Sequence, residues 1–187
     1  MIKTRKDLKE YIEADINNSN EIHKHMLKEL IKGNMRAWTK YKYICALRKM
    51  EFCKNNRNGL FGQIRYLFHK IRFQKLQLKT QIFIHPNVFD QGLNIEHPGF
   101  IWIDEQAKIG KNCRVIPPLL IGNNGQKSDN PIVIIGDDCF LSTGVTILGP
   151  VKIGNNVTIG AGAVVRHDIP DNAIVAGVPA RIIRFKE

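Results

Sequence analysis

The sequence predicts a mainly β protein, a parallel β-helix preceded by a small all-α N-terminal domain, and three observations predict it. Aliphatic residues recur at every sixth position: Ile103, Ile109, Val115 and Ile121, then, after an interruption, Ile135, Leu141, Ile147, Ile153, Ile159 and Val165. Small or compact residues recur four positions after the anchors, at Ala107, Cys113, Cys139, Val145, Val157 and Ala163. Residues 1–80 lack this period, carry helical spacing instead, and hold 19 Lys/Arg against 7 Asp/Glu.

A helix turns about 100° per residue, so every sixth residue would fall on a different face. A strand alternates sides with period two, so every sixth residue returns to the same face. If three hexapeptides close one triangular coil, each anchor stacks on its equivalent roughly 4.8 Å above. Branched aliphatics then build a continuous core column, and the fourth position inside must be small. Gly110, Gly122, Gly136, Gly154 and Gly160 follow anchors, at the corner where the chain turns sharply and positive φ is useful.

From Lys3 to about Leu30 the composition suggests two helices, separated by the turn-prone Asn17-Asn18-Ser19-Asn20. A third is predicted over Ala37 to Lys54, where Tyr41, Ile44, Leu47 and Arg48 recur at helical spacing. Asn55 to Gly59 ends it, and a fourth runs from about Phe61 to Leu76 with Ile64, Leu67, Phe68, Ile71 and Leu76 as its apolar face. Residues 1–78 thus read as a helical N-terminal domain and 79–187 as the β-helix. Ile82-Phe83-Ile84 opens the first coil, which continues through Val88, Leu93 and Ile95. Between Ile121 and Ile135 the spacing is 14 where 12 would keep register, and loop residues Asn123 to Pro131 fill it.

The charge is lopsided: residues 1–80 carry a net +12 and residues 81–187 a net −1. Such a basic surface attracts nucleic acid, anionic lipid or acidic substrates, or is simply a solvated helical face. No zinc-finger spacing or aromatic-studded basic strand supports nucleic-acid binding. Cys45, Cys53, Cys113 and Cys139 show no CxxC pair, which argues against a disulfide or zinc framework. Met1 to Glu10 lacks an apolar leader core, and no apolar run approaches about 18 residues, so the expected location is cytoplasmic.

Among polar residues, His97 stands out, because in Leu93-Asn94-Ile95-Glu96-His97-Pro98-Gly99 it occupies a corner that a turn residue would normally take. A neutral imidazole there can take a proton from an attacking hydroxyl; a surface turn histidine is the alternative. His23 and His25 would face different sides of a helix and read as surface histidines.

Ile84-His85-Pro86, Glu96-His97-Pro98-Gly99, Ile109-Gly110-Lys111-Asn112, Ile159 to Val165 and Ala176-Gly177-Val178-Pro179-Ala180-Arg181 resemble the left-handed β-helix acyltransferases, in particular the serine acetyltransferase-like branch that includes sugar O-acetyltransferases of polysaccharide loci. The resemblance covers about residue 81 to the end, with a further likeness over Ala46 to Phe52. It implies a left-handed β-helix, acetyl-CoA as co-substrate, no metal, and a homotrimer with active sites between subunits. Whether trimers pair is left open. It also implies that His97 is the catalytic base, that an N–H donor to the thioester oxygen is to be sought near Gly122, that Thr143, Gly144, Ala161 and Gly162 let the CoA arm approach the backbone, and that Arg166, Arg181 and Arg184 meet phosphates. For these arginines, exposed structural residues are the alternative.

Departures from the serine enzymes matter as much. Those enzymes pair the histidine with an Asp just before Ile-His-Pro, where this chain has Phe83; they place Arg-His before the Pro that follows the insertion, where this chain has Asp129-Asn130. Glu96 replaces the usual Asp and is a candidate for binding the acceptor. The tail lacks the extension through which the serine enzymes dock with cysteine synthase, so that complex is not expected. The expected function is acetyl transfer to a sugar hydroxyl in surface-polysaccharide synthesis, with serine O-acetylation as the alternative. A zinc hydratase using His85, His97 and His167, and a scaffold without activity, are further readings. The basic N-terminal domain is a candidate for peripheral membrane association.

Overall fold

A computed structural model describes residues 1–19, 31, 33–123 and 132–187. The strands wind into a prism with three faces. Face A stacks β1 (Ile82–Ile84), β3 (Ile101–Ile103), β6 (Leu119–Asn123), β9 (Val145–Gly149) and β12 (Val164–Val165). Face B stacks β4 (Ala107–Ile109), β7 (Val133–Ile135) and β10 (Val151–Ile153). Face C stacks β2 (Asn94–Ile95), β5 (Arg114–Val115), β8 (Phe140–Leu141), β11 (Thr158–Ile159) and β13 (Ala173–Ala176). These pairings are parallel, and only β14 (Arg181–Phe185) returns antiparallel on β13.

The six-residue period does what a β-helix requires of it. Ile84, Ile103, Ile121 and Ile147 stack in one column; Ile109, Ile135 and Ile153 in a second; Ile95, Val115, Leu141 and Ile159 in a third. All are buried. Cys113 and Cys139 fill small inward slots as free thiols, each donating to a carbonyl of the next coil, Gly136 O at 3.3 Å and Gly154 O at 3.2 Å.

Two expectations about the coils change. The step from Ile121 to Ile135 crosses from face A to face B, a step of six elsewhere, so its 14 residues hold a loop longer by about eight, not a missed register of two. Residues 124–131, including Asp129, Asn130 and Pro131, lie outside the described residues. On face B the glycine after the anchor is also needed for a different reason. A Cβ on Gly110, Gly136 or Gly154 would come within 2.7 to 2.8 Å of the next coil's backbone, or closer. The left-handed residue sits two positions later, at Asn112, Asp138 and Asn156, where a short polar side chain tolerates positive φ.

Three helices are defined among the described residues: α1 (Arg5–Asn17), α2 (Met35–Asn55) and α3 (Gly59–Thr80). The second helix expected before Leu30 falls, with His23 and His25, mostly outside the described residues. In α1, Thr4 accepts from Asp7 N while the Asp7 carboxylate accepts from Thr4 N, a reciprocal cap. Helices α2 and α3 outrun their expected ends, and α3 stops where Gln81 turns left-handed at φ 59°. The apolar face expected for α3 is not its buried one. Ile64, Leu67, Phe68 and Ile71 are exposed, and the helix is held instead through Gly62, Phe73 and Thr80, with Tyr66 and Leu76 half-buried.

Tyr43, Leu47 and Met50 of α2 and Phe73 of α3 join the β-helix core without a break. A buried ion cluster rivets the same junction. Arg48 donates to Asp15 at 2.7 Å and to Glu51 at 2.9 Å, and caps the Phe89 and Asp90 carbonyls of the first coil. Asp15 in turn accepts from Gly92 N and Leu93 N, both at 2.8 Å. Burial works against the Arg48 charge, but Glu51 and Asp15 outweigh it and hold the guanidinium above its ordinary range.

Candidate functional site

His97 stands at the edge where face C turns into face A. One coil on, the same edge carries Pro117 and Pro118; the next carries Thr143 and Gly144, and the one after that Ala161 and Gly162. Hydrogen bonds tie these levels together: Thr143 Oγ1 donates to Pro117 O at 2.7 Å, Gly144 N to Pro118 O at 2.8 Å and Gly162 N to Thr143 O at 2.9 Å. Gly144 and Gly162 turn left-handed at φ 74° and 68°. Thr143, Gly144, Ala161 and Gly162 are all exposed, and a Cβ on Gly162 would meet nothing within 4 Å. The backbone of this edge is therefore open to a long ligand lying along it. Gly99 has a packing reason of its own, since a Cβ there would sit 2.8 Å from Pro117 Cβ. Its absence lets the His97 corner lie flat on the next coil.

The His97 ring is half-buried, with Nδ1 3.3 Å from Pro98 O. A carbonyl only accepts, so in the neutral imidazole this contact favours the tautomer with its proton on Nδ1 and its lone pair on Nε2. The corner is clamped from two sides. Buried Lys40 of α2 donates to Glu96 O at 2.7 Å, and the Glu96 carboxylate pairs with Arg114 Nε of the next coil at 2.6 Å. Arg114 itself lies 5.1 Å over the Phe140 ring.

Lys40 and Arg114 escaped the sequence reading. Arg114 was within reach of it, since it directly precedes the anchor Val115 and lies 18 residues, three repeats, after Glu96; the structure pairs it in register with Asn94, 20 residues earlier, which still sets it beside the Glu96 corner. Nothing local marks Lys40, which arrives from a helix 56 residues upstream.

Phe83, at the position of the missing Asp, presents a half-buried ring to face A, 5.5 Å from the Trp102 ring. Gly122 is not brought to His97 within one chain. It lies at the other end of β6, opposite Leu148, roughly 16 Å along the strand from the His97 edge. Arg166 and Arg181 are exposed and line, with His167, one cavity of about 310 Å³ at the C-terminal end of the prism. Ala180 N, just before Arg181, donates to Val164 O at 2.8 Å, so Arg181 follows directly on the Thr143–Gly162 edge. Arg184 is exposed in β14, opposite Ile174. His85 is exposed, 3.9 Å from Glu105, and no cluster of three His, Cys, Asp or Glu with metal-site spacing occurs among the described residues.

Residues 132–167 match the family described as bacterial transferase hexapeptide (six repeats). Among curated proteins, a serine acetyltransferase of Bacillus licheniformis is 32% identical over 127 residues, 67% of this chain and 59% of the relative. One from Synechococcus elongatus is 34% identical over 132 residues, 70% of this chain and 54% of the relative. The chain thus spans somewhat more than half the length of the curated relatives it matches. Among solved structures, serine acetyltransferase from Brucella abortus superposes with a TM-score of 0.76 at 23% identity, covering 98% of this chain and 71% of that one. The same enzyme in complex with coenzyme A gives 0.71 at 24% identity, covering 98% and 70%. The fold, an N-terminal helical region on a hexapeptide-repeat β-helix, is shared with these proteins.

Proposed function

We propose that this hexapeptide-repeat chain is an acetyl-CoA-dependent O-acetyltransferase in which His97 is the general base. The observation that carries the reading is a half-buried imidazole, its Nδ1 committed to Pro98 O, at the head of an exposed edge of small residues. Nε2 would take the proton of an acceptor hydroxyl as its oxygen attacks the thioester carbonyl carbon; collapse of the tetrahedral intermediate expels the CoA thiolate, which leaves with that proton. Thr143, Gly144, Ala161 and Gly162 would flank the pantetheine arm. Arg166 and Arg181 would meet its phosphates. Where the serine-type site has a carboxylate to orient the histidine, the Pro98 carbonyl and the Glu96 clamp would serve here.

The comparisons favour a serine hydroxyl as acceptor, since the relatives reported above are named for that activity. A sugar hydroxyl is the second reading, and the Phe83–Trp102 pair favours it: two rings on face A beside the His97 edge offer an apolar plate to a pyranose. Measuring CoA release with L-serine and with a panel of nucleotide sugars separates the two. Whichever acceptor works, His97→Ala is expected to lower kcat by at least about a hundredfold, and unchanged turnover would remove His97 as the base.

The site would lie between copies. Gly122, the oxyanion donor of this reading, and His97 sit at opposite ends of face A, so a threefold assembly would be needed to bring one copy's Gly122 to the next copy's His97. The half-exposed aromatic surface of face A, Phe83, Phe100 and Trp102, suits such a contact.

A further inference from the structure

Helix α3 turns most of its apolar surface away from the protein. Phe61 is 87% exposed and Leu60 72%, while Ile64, Leu67, Phe68 and Ile71 lie between 46% and 56%. At about 100° per residue these six fall within one face roughly 120° wide, opposite the buried Phe73. The helix also carries five Lys/Arg and no Asp/Glu. Arg65, Arg72 and Lys79 follow one another at seven-residue spacing along one border of the apolar face, and Lys70 lies on the other.

Along that first border the helix opens into a groove of about 600 Å³ shared with α2. Arg72, Lys75 and Lys79 form its rim on α3, Lys42 and Lys49 face them from α2, and no carboxylate lines it among the described residues. Burial, and then the charges of Lys49, Arg72 and Arg65, lower the pKa of His69 in this groove.

We infer that α3 and this groove form a docking surface for an anionic phospholipid bilayer, the apolar face entering the headgroup boundary and the cations meeting lipid phosphates. Each candidate occupant has to satisfy both features at once. A second copy laid face to face would oppose Arg65, Arg72 and Lys79 to cations of the same helix. A nucleic acid would match the charge and leave the apolar face in water. An anionic bilayer offers negative charge and an apolar layer in one plane, and basic helices with an unpartnered apolar face partition there.

Co-sedimentation of the full chain with phosphatidylglycerol/phosphatidylcholine vesicles, against phosphatidylcholine alone, tests this. Binding to the anionic vesicles is expected to be at least about tenfold stronger and to fall in high salt. The double variant Phe61→Glu/Phe68→Glu should bind at least about tenfold less while keeping the wild-type circular dichroism and melting temperature. Lys75→Glu/Lys79→Glu should remove the preference for anionic lipid. Equal binding to both vesicle types, or binding unmoved by either double variant, overturns the proposal. So does a concentration-dependent assembly, seen by sedimentation velocity without lipid, that Phe61→Glu/Phe68→Glu dissolves, because a second copy would then cover the face.

Discussion

The proposed role of His97 as a base requires Nε2 to be unprotonated and held in a fixed direction, and a ring at a corner has little intrinsic reason to hold still. The Pro98 carbonyl favours that tautomer, and Lys40, through Glu96 O, fixes the backbone from which the ring projects. Lys40→Met would leave a part-buried carbonyl without that donor, at a cost of about 1–3 kcal/mol. We expect kcat to fall about tenfold or more with the KM for acetyl-CoA little changed, and Lys40→Arg to restore part of it. Steady-state kinetics beside thermal melting checks this; a loss of stability with kcat intact would make Lys40 structural only. The sequence reading reached His97 because the repeat locates corners and one corner was anomalous. It missed Lys40 because a buried lysine that crosses from helix to coil leaves no periodic trace.

At the scale of elements, periodicity specified which residues share a face but not which face is covered. For α2 the apolar stripe and the buried stripe coincide, since Ile44 and Leu47 are both core. For α3 they diverge, because Gly62 lets that side of the helix approach Asn56 and Arg57 closely and Phe73 supplies the anchor. The rivet between helices and coils is equally illegible, as Asp15, Arg48 and Glu51 are ordinary helix charges until the fold buries them. Arg48→Met should destabilise the chain by about 3–5 kcal/mol in urea titration, since it strands two buried carboxylates, whereas loss of one exposed ion pair would cost under about 1 kcal/mol. The α1 cap gives a pH test. Backbone N–H groups of Lys3 and Thr4 hold the Asp7 carboxyl at about 2, below its ordinary 3.8. A depressed carboxylate stabilises the fold above its unfolded value and ceases to do so as pH falls through the folded one. Between pH 5 and 2 the melting temperature of Asp7→Asn should therefore drop less than that of the wild type; an identical drop would mean that Asp7 does not report on this cap.

For the whole molecule, the prism followed from ten anchors in one period, while the proposed sharing of the site between copies came only with the family resemblance, because periodicity describes the inside of the coil and assembly depends on the outside. Two outward features bear on it: the aromatic surface of face A, and the separation of His97 from Gly122 by the length of β6. If each site takes His97 from one copy and Gly122 from its neighbour, two inactive variants can complement one another. His97→Ala and Gly122→Val are the pair to use. Among the described residues a Cβ at Gly122 would meet only Leu120, at an ordinary 3.7 Å, and Gly122 is not among the positive-φ residues, so the backbone there accepts a side chain. Each variant alone should release CoA at a small fraction of the wild-type rate. Unfolded together, mixed in equal amounts and refolded, they should regain activity at about one quarter of the sites, the share in which random assembly sets an intact His97 against an intact Gly122. The valine side chain would block approach to the Gly122 N–H, so if every site lies within one chain the mixture stays as inactive as its parts, and if Gly122→Val is active on its own, the thioester does not lie against Gly122.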